Sequence, residues 1–325
     1  MKNDLRDTGA QVIELQIKAL RKLKNSINNS FDQAITILEK CKSKVIVCGV
    51  GKSGIIASKI SATLSSVGTP SFTISASDCS HGDLGRITNK DVLILISYSG
   101  NTYELKNIIK YARTNKIPLI GIVSNKESEL YKFSNIKLLI PKVLEAGYGI
   151  VPTSSTTTQL AIGDALAISL MQKKKFGKLD FKKFHPSGSL GKKLKTAGDL
   201  MLTDNKIPFV KENVLMKEAL KILNSKKLGF IIAINNKGLT TGIFTDGDLK
   251  RLMQTKDTRI NNLKLKTFMT KNPFMIEKNI LAIDVLKQMN KKKITNVCVY
   301  ENDNKRKTVG VLHIHNLIQN FKMNN

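Results

Sequence analysis

From Thr8 to Leu38 the apolar residues Val12, Leu15, Ile17, Leu20, Leu23, Ile27, Phe31, Ile35 and Leu38 recur at helical spacing, which predicts two helices ahead of anything else. The period then changes. Short unbroken apolar runs, Val45-Ile46-Val47-Cys48 and Val92-Leu93-Ile94-Leu95-Ile96, alternate with amphipathic stretches. The predicted order is strand 44–48, helix 53–66, strand 71–75, strand 92–96, helix 102–114, strand 118–123, helix 127–132, strand 136–140 and helix 155–174. Strands without polar alternation are buried on both faces, so the pattern predicts an α/β domain whose parallel sheet is covered by helices on each side. The helix from Ser155 carries Leu160, Ile162, Leu166, Ile168 and Leu170 and is expected to be deeply packed.

Around 180–195 periodicity stops in a Gly/Pro/Ser loop, Phe184-His185-Pro186-Ser187-Gly188-Ser189. Beyond it the chain repeats itself. Leu200-Met201-Leu202-Thr203 matches Phe268-Met269-Thr270-Lys271, and Gly242-Ile243-Phe244-Thr245 matches Gly310-Val311-Leu312-His313, a period of about 68 residues with a two-residue adjustment inside it. Each copy reads helix–strand–strand–helix after an extended lead-in. One copy alone leaves an apolar sheet face uncovered, so two are expected to pack together. The boundaries are 1–195 for the α/β domain, 198–256 for the first repeat and 266–325 for the second.

Three polar loops each lead into a helical segment: Gly49-Val50-Gly51-Lys52-Ser53-Gly54, Ser97-Tyr98-Ser99-Gly100-Asn101-Thr102 and Thr153-Ser154-Ser155-Thr156-Thr157-Thr158. Such loops gather at the carboxyl edge of a parallel sheet, where helix N–H groups and hydroxyls stabilise an anion. A single loop of this kind reads as a helix cap; three in one sheet point to a sugar-phosphate pocket. Gly51-Lys52-Ser53 is not a P-loop, because that motif needs Gly where this chain has Ile46.

The formal net charge of +28 raises the question of nucleic acid. However, 46 of the 53 basic residues are lysines spread along the chain, and tryptophan is absent. Without arginine forks or stacking platforms, the charge reads as a lysine-rich composition rather than a nucleic-acid site, and its positive field can also help gather phosphorylated substrates. The four cysteines, Cys41, Cys48, Cys79 and Cys298, form no metal or disulfide pattern. No apolar run reaches membrane-span length, and the charged start of the chain is unlike a signal peptide, so a cytoplasmic protein is expected.

Residues 1–195 resemble a sugar isomerase (SIS) domain, a flavodoxin-like sandwich, and the repeats resemble a tandem CBS pair of α+β type. Together with Gly68-Thr69-Pro70, His81-Gly82-Asp83-Leu84-Gly85, Pro152-Thr153-Ser154-Ser155-Thr156-Thr157, Gly163-Asp164-Ala165-Leu166-Ala167 and His185-Pro186, this order resembles the bacterial D-arabinose-5-phosphate isomerases over almost the entire chain. The resemblance implies interconversion of D-ribulose 5-phosphate and D-arabinose 5-phosphate, which feeds Kdo and lipopolysaccharide synthesis. It also implies a homotetramer without a cofactor. Catalytic roles fall on Lys52, Glu104, Glu145 and His185. Substrate binding falls on Ser53, Gly68, Thr69, His81, Ser97, Ser99, Thr102, Ser154, Ser155 and Thr156.

The chemistry fits these residue types. Aldose–ketose isomerisation needs a base, an acid for the enediol oxygens and a phosphate anchor, and no redox cofactor. Each residue also has a plainer reading: Glu104 could serve only a helix dipole, and Lys52 and Glu145 could be solvated. A non-catalytic sugar-phosphate and nucleotide sensor is the alternative for the whole chain. Some members of the family have a zinc-associated histidine where this chain has Ser75, so no metal site is expected. Relatives commonly have Asn and Glu where this chain has Tyr98 and Asn101. In the first repeat, Thr245-Asp246-Gly247-Asp248 resembles the CBS nucleotide signature, with Thr245 near phosphate and Asp248 on the ribose. The second copy has His313 and Asn316. A nucleotide effector and a purely structural pair both remain open.

Overall fold

The computed structural model describes residues 5–185, 194–254, 262–302 and 304–322. The chain divides after Phe184 into two compact units.

In the first unit, α1 (Leu5–Ser26) and α2 (Asn29–Glu39) precede β1 (Val45–Gly49). There follow α3 (Lys52–Ser66), β2 (Ser71–Thr73), α4 (Ala76–Cys79), β3 (Val92–Ile96), α5 (Lys106–Thr114), β4 (Leu119–Val123), α6 (Glu129–Phe133) and β5 (Ile136–Leu139). A single irregular turn, α7 (Gly147–Ile150), then α8 (Ser154–Lys173) and α9 (Lys178–Phe184) complete the unit. The five strands are all parallel, in the order β2-β1-β3-β4-β5.

The unbroken apolar runs split by the strand period of two. Val45, Val47, Ile94, Ile96, Ile120 and Ile122 face α2, α3 and α8, where Leu38, Ile60, Leu64, Ile162 and Leu166 close the core. Ile46, Cys48, Leu93, Leu95 and Leu119 face the other side, where Ala76, Leu105, Ile108, Ala112 and Leu130 close it. Burying such a side chain contributes about 1.5–3 kcal/mol, so these two layers fix the register and hence the loops at the strand ends. Strand β2 stops at Thr73, short of the predicted 75, because Ser75 caps α4 by accepting from the Asp78 N–H at 3.3 Å. The predicted helix 102–114 is a 3-10 turn, Tyr103–Leu105, followed by α5.

The second unit contains α10 (Ala197–Leu200), β6 (Phe209–Lys211), α11 (Met216–Lys226), β7 (Phe230–Ile234), β8 (Thr240–Thr245) and α12 (Asp246–Met253). The second repeat adds β9 (Thr270–Lys271), β10 (Met275–Glu277), α13 (Ala282–Lys292), β11 (Asn296–Tyr300), β12 (Gly310–His313) and α14 (Ile314–Lys322). The sheets run β6-β7-β8-β9 and β10-β11-β12. The helix–strand–strand–helix reading therefore holds, with one difference: the lead-in segments are exchanged. Ala197 donates to Ile280 O and Ala282 to Lys195 O, each at 2.7 Å, so the first lead-in joins the second repeat. In return β9 pairs with β8, and Leu265 and Met269 pack with Val210, Met216 and Phe244. Between the repeats lie Ile207, Phe230, Ile232, Ile243, Cys298 and Val311.

Candidate active site

With strand order 2-1-3-4-5 the chain reverses direction across the sheet between β1 and β3, and a crevice opens at their carboxyl ends. Gly49 ends β1. A Cβ there would come within 2.7 Å of the Ser53 carbonyl, so only glycine lets α3 start this close to the strand. The turn places Lys52 at the first position of α3, exposed and, among the described residues, without an ion-pair partner. Ser53 points inward instead and donates to Gln159 Oε1 at 3.1 Å, which ties this loop to α8.

The loop after β3 closes on itself. Ser97 Oγ and Thr102 Oγ1 lie 2.7 Å apart, and Ser97 Oγ also accepts from the Gly100 N–H at 2.9 Å. Gly100 has φ +73°, and a Cβ would strike Ser128 Oγ at 2.2 Å. Ser99 Oγ takes the Asn101 N–H at 3.4 Å. The two departures from the relatives' usual pattern have structural work here. Asn101 Oδ1 caps α6 through the Glu129 N–H at 3.0 Å, and the Tyr98 hydroxyl accepts from the Val143 N–H at 2.8 Å. Tyr98 thus holds the strap after β5 against the loop after β3. Glu104 sits on the 3-10 turn just beyond, exposed and without an ion-pair partner among the described residues.

Glu145 lies on that strap. Its Oε2 accepts from Thr153 N at 2.9 Å and Thr153 Oγ1 at 3.1 Å, and the carboxylate also takes the Ser155 N–H at 3.3 Å. Burial opposes its ionisation, but the hydrogen bonds from Ser155 and Thr153 prevail and hold its carboxyl below the ordinary value. The start of α8, expected to receive a ligand's phosphate, is therefore occupied by a side-chain anion of the protein itself. Ser154 and Ser155 are buried, and Thr156 Oγ1 donates back to Thr153 O at 2.9 Å. Ser154 Oγ and Gln159 Nε2 are buried without a hydrogen-bond partner; open polar groups of this kind are where a water or a ligand atom is expected. Thr153 and Gln159 are absent from the sequence-derived set. A glutamine inside the apolar stripe of α8 is the one signal that could have found Gln159.

His81 follows α4 in an exposed turn whose next residue, Gly82, has φ +116°. A cavity of about 300 Å³ lies between this region and the β1 loop, lined by Gly49, Gly51, Ser58, Thr73, Ser75 and Ser77 among others. Among the described residues no group of three or more His, Cys, Asp or Glu could hold a metal.

Gly68 and Thr69 are a correction: they precede β2, and Pro70 O accepts from the first residue of β1, so they lie at the amino edge of the sheet, opposite the crevice. Gly68 packs under Phe176, and the buried Thr69 hydroxyl is held by Lys174 Nζ at 3.0 Å. His185 follows α9, half-buried, at the start of the second unit; the loop that it opens, 186–193, is outside the described residues.

In the first repeat Thr245 and Asp248 satisfy one another. Asp248 Oδ2 accepts from Thr245 N and Thr245 Oγ1, both at 2.8 Å, and Arg251 takes its other oxygen. This is a closed capping box at the start of α12.

Residues 37–169 match the SIS domain family, and residues 197–255 and 265–322 each match the CBS domain family. The chain is 38% identical over 318 residues to "Arabinose 5-phosphate isomerase KdsD" of Yersinia pestis, covering 97% of this chain and 96% of that one. It is 39% identical over 318 residues to the protein of that name from Francisella tularensis, covering 96% of each. Among solved structures it is similar to the c3406 protein of E. coli CFT073 in complex with arabinose 5-phosphate, with TM-score 0.55 and 38% identity over 57% of this chain and 100% of that one.

Proposed function

The chain belongs to the arabinose 5-phosphate isomerase family, an SIS domain followed by two CBS domains, and from that premise we propose how its residues carry out the isomerisation of D-ribulose 5-phosphate to D-arabinose 5-phosphate. The observation that carries the reading is the closed Ser97–Thr102 loop at the β1/β3 crevice, with Lys52 and Glu104, neither ion-paired among the described residues, on the turns around it. The loop's hydroxyls and N–H groups hold the phosphate and so fix the sugar along the sheet edge. Glu104 is the base: it removes a proton from C1 of the open-chain ketose, and the electron pair moves into a C1=C2 double bond as charge gathers on O2. Lys52 stabilises that charge. O2 takes a proton to give the neutral enediol; return of the proton held by Glu104 to C2, with loss of the O1 proton, then restores a carbonyl at C1 and gives the aldose. His185 is the second acid–base group and serves the enediol oxygens.

Glu145 is a positioning residue in this scheme. Its carboxylate is spent on Thr153 and Ser155, and what it supplies is a fixed α8 terminus beside Ser53 and Gln159. His81 contacts the sugar from the α4 side. The product feeds Kdo synthesis in the cytoplasm. No helix among the described residues is long and apolar enough to cross a membrane.

The active form is a homotetramer. Leu144, Tyr148 and Ile150, next to Glu145, are 76%, 102% and 76% exposed, an apolar surface that a second copy of the chain would cover.

The test is purified protein with ribulose 5-phosphate and chromatographic separation of pentose phosphates. Arabinose 5-phosphate as the product supports the reading; ribose or xylulose 5-phosphate, or no turnover with tight sugar-phosphate binding, overturns it.

A further inference from the structure

Within the second unit, a cavity of about 610 Å³ lies at the start of β8, its rim formed by Glu212, Thr241, Lys266, Lys271, Asn272 and Arg306 with their neighbours. Its size falls in the range of small-molecule sites. It is also built from both repeats. Lys266 N donates to Glu212 O at 3.0 Å, Asn272 N to Thr241 O at 3.2 Å, and Thr240 N to Arg306 O at 2.8 Å. Main-chain bonds therefore hold two cations of the exchanged lead-in and one of the β11–β12 hairpin against the first repeat. Among the described residues, Lys266, Lys271 and Arg306 have no carboxylate within ion-pair distance.

In a chain this rich in lysine, three cations around a cavity need a control, and the repeat supplies one. Met269 lies over Gly242 as Met201 lies over Gly310, so the same register identifies the matching positions in the other half. Lys266, Lys271 and Arg306 correspond to Gly198, Thr203 and Gly238, while Thr267 and Asn272 correspond to Asp199 and Asp204. Glu212, Asn235 and Leu239 correspond to Lys278, Glu301 and Lys307, of which Lys278 and Glu301 pair at 2.8 Å. Three cations and one carboxylate on one side thus face two cations and three carboxylates on the other. Lysine richness acting everywhere would not reverse the sign between two copies of one fold.

We propose that this cavity is an effector site for a small phosphorylated metabolite, one carrying a phosphate or diphosphate and at least one hydroxyl or amino group. Lys266, Lys271 and Arg306 take the phosphate oxygens through charge-assisted bonds, Asn272 and Thr241 add neutral ones, and Glu212 accepts from the ligand's hydroxyl or amine. The site is distinct from Thr245 and Asp248, which lie at the other end of β8, roughly 15 Å away at the strand rise per residue. Because the cations come from the second repeat and the floor from the first, an occupied site stabilises the paired arrangement.

Calorimetric titration of the full-length protein with sodium pyrophosphate and with cytidine 5′-diphosphate tests this. The variants are Lys271→Thr/Arg306→Ala at the cavity, Lys278→Ala/Lys307→Ala at its counterpart, and Asp248→Ala. Saturable binding is expected in the wild type, the counterpart variant and Asp248→Ala, weakened at least ~10-fold in the cavity variant, the scale of losing charge-assisted contacts. Cytidine 5′-diphosphate is expected to bind more tightly than pyrophosphate. Lys266→Gln repeats the measurement should the double variant misfold. No saturable binding at millimolar ligand overturns the proposal. So does equal weakening in the counterpart variant, which would mark a diffuse attraction, or loss confined to Asp248→Ala, which would place the ligand at the capping box.

Discussion

Replacing Glu145 separates a positioning role from an acid–base role. Its carboxylate takes the N–H groups of Thr153 and Ser155 and the Thr153 hydroxyl. Hydrogen bonds to a charged group contribute about 1.5–3 kcal/mol each and a helix cap about 1 kcal/mol. One partly exposed carboxylate shared among three donors does not collect that sum in full, so Glu145→Ala is expected to cost ~2–4 kcal/mol in a domain where each kcal/mol moves Tm by about 2–4 °C. Thermal unfolding followed by circular dichroism should then show a drop of ~5–12 °C. Glu145→Gln keeps an acceptor oxygen, so about half of that loss is expected, and its turnover should stay well above that of the alanine variant. The sign of the pH dependence follows from the depressed pKa. The unfolded group titrates at about 4.3 and the folded one below that, so the stabilisation is complete above the unfolded value and lost as pH falls through the folded one. The Tm gap between wild type and Glu145→Gln should therefore close with acidification below about pH 4. Equal collapse of turnover in both variants with Tm untouched would refute the positioning argument, as would a gap that widens in acid.

Glu104→Gln and His185→Ala are each expected to lower kcat by at least ~100-fold with the circular dichroism spectrum unchanged; near-wild-type turnover in either removes that residue from the proton path. Activity should survive dialysis against EDTA, since Ser75 serves as a helix cap and the described residues hold no metal-ligating cluster; loss of activity restored by one equivalent of a divalent ion would contradict this. Residues 194–325 expressed alone should unfold in one cooperative transition, whereas 262–325, which lacks the lead-in that completes its core, should show no transition at all; a cooperative melt of the shorter piece would argue against the exchange.

The first unit was largely legible because its signals are local. Unbroken apolar runs mark strands buried on both faces, and the glycines and hydroxyls that follow them mark the crevice. Pairing partners were not legible in this way. Whether Ser97 faces Thr102 or solvent, or whether an anion at α8 comes from a ligand or from Glu145, depends on a strap held by Tyr98 across 45 residues of sequence. Gly68 and Thr69 show the converse error. A glycine and a threonine before a strand carry the same local signature as those after one, and only the strand's direction in the sheet decides which edge they occupy. In a parallel sheet that edge is the difference between function and packing.

The repeats set a different limit. Periodicity in the sequence counts copies of a pattern, while the packing counts which apolar faces are closed, and the two need not share boundaries. Ala197 is completely buried among Ile276, Ala282, Val285 and Met289 of the other repeat, and Leu265 is equally buried among Val210, Met216 and Phe244. Each lead-in is a short segment whose apolar side chains close the core of the other repeat, so neither core closes within the bounds that the sequence period marks. The consequence is chemical as well as mechanical. Exchange carries Lys266 and Lys271 onto the first repeat and carries the uncharged Gly198 and Thr203 onto the second, so matching positions in two copies of one pattern differ in the sign of their charge. The proposed phosphate site thus falls on one half of the pair, while the matching positions of the other half hold the Lys278–Glu301 ion pair.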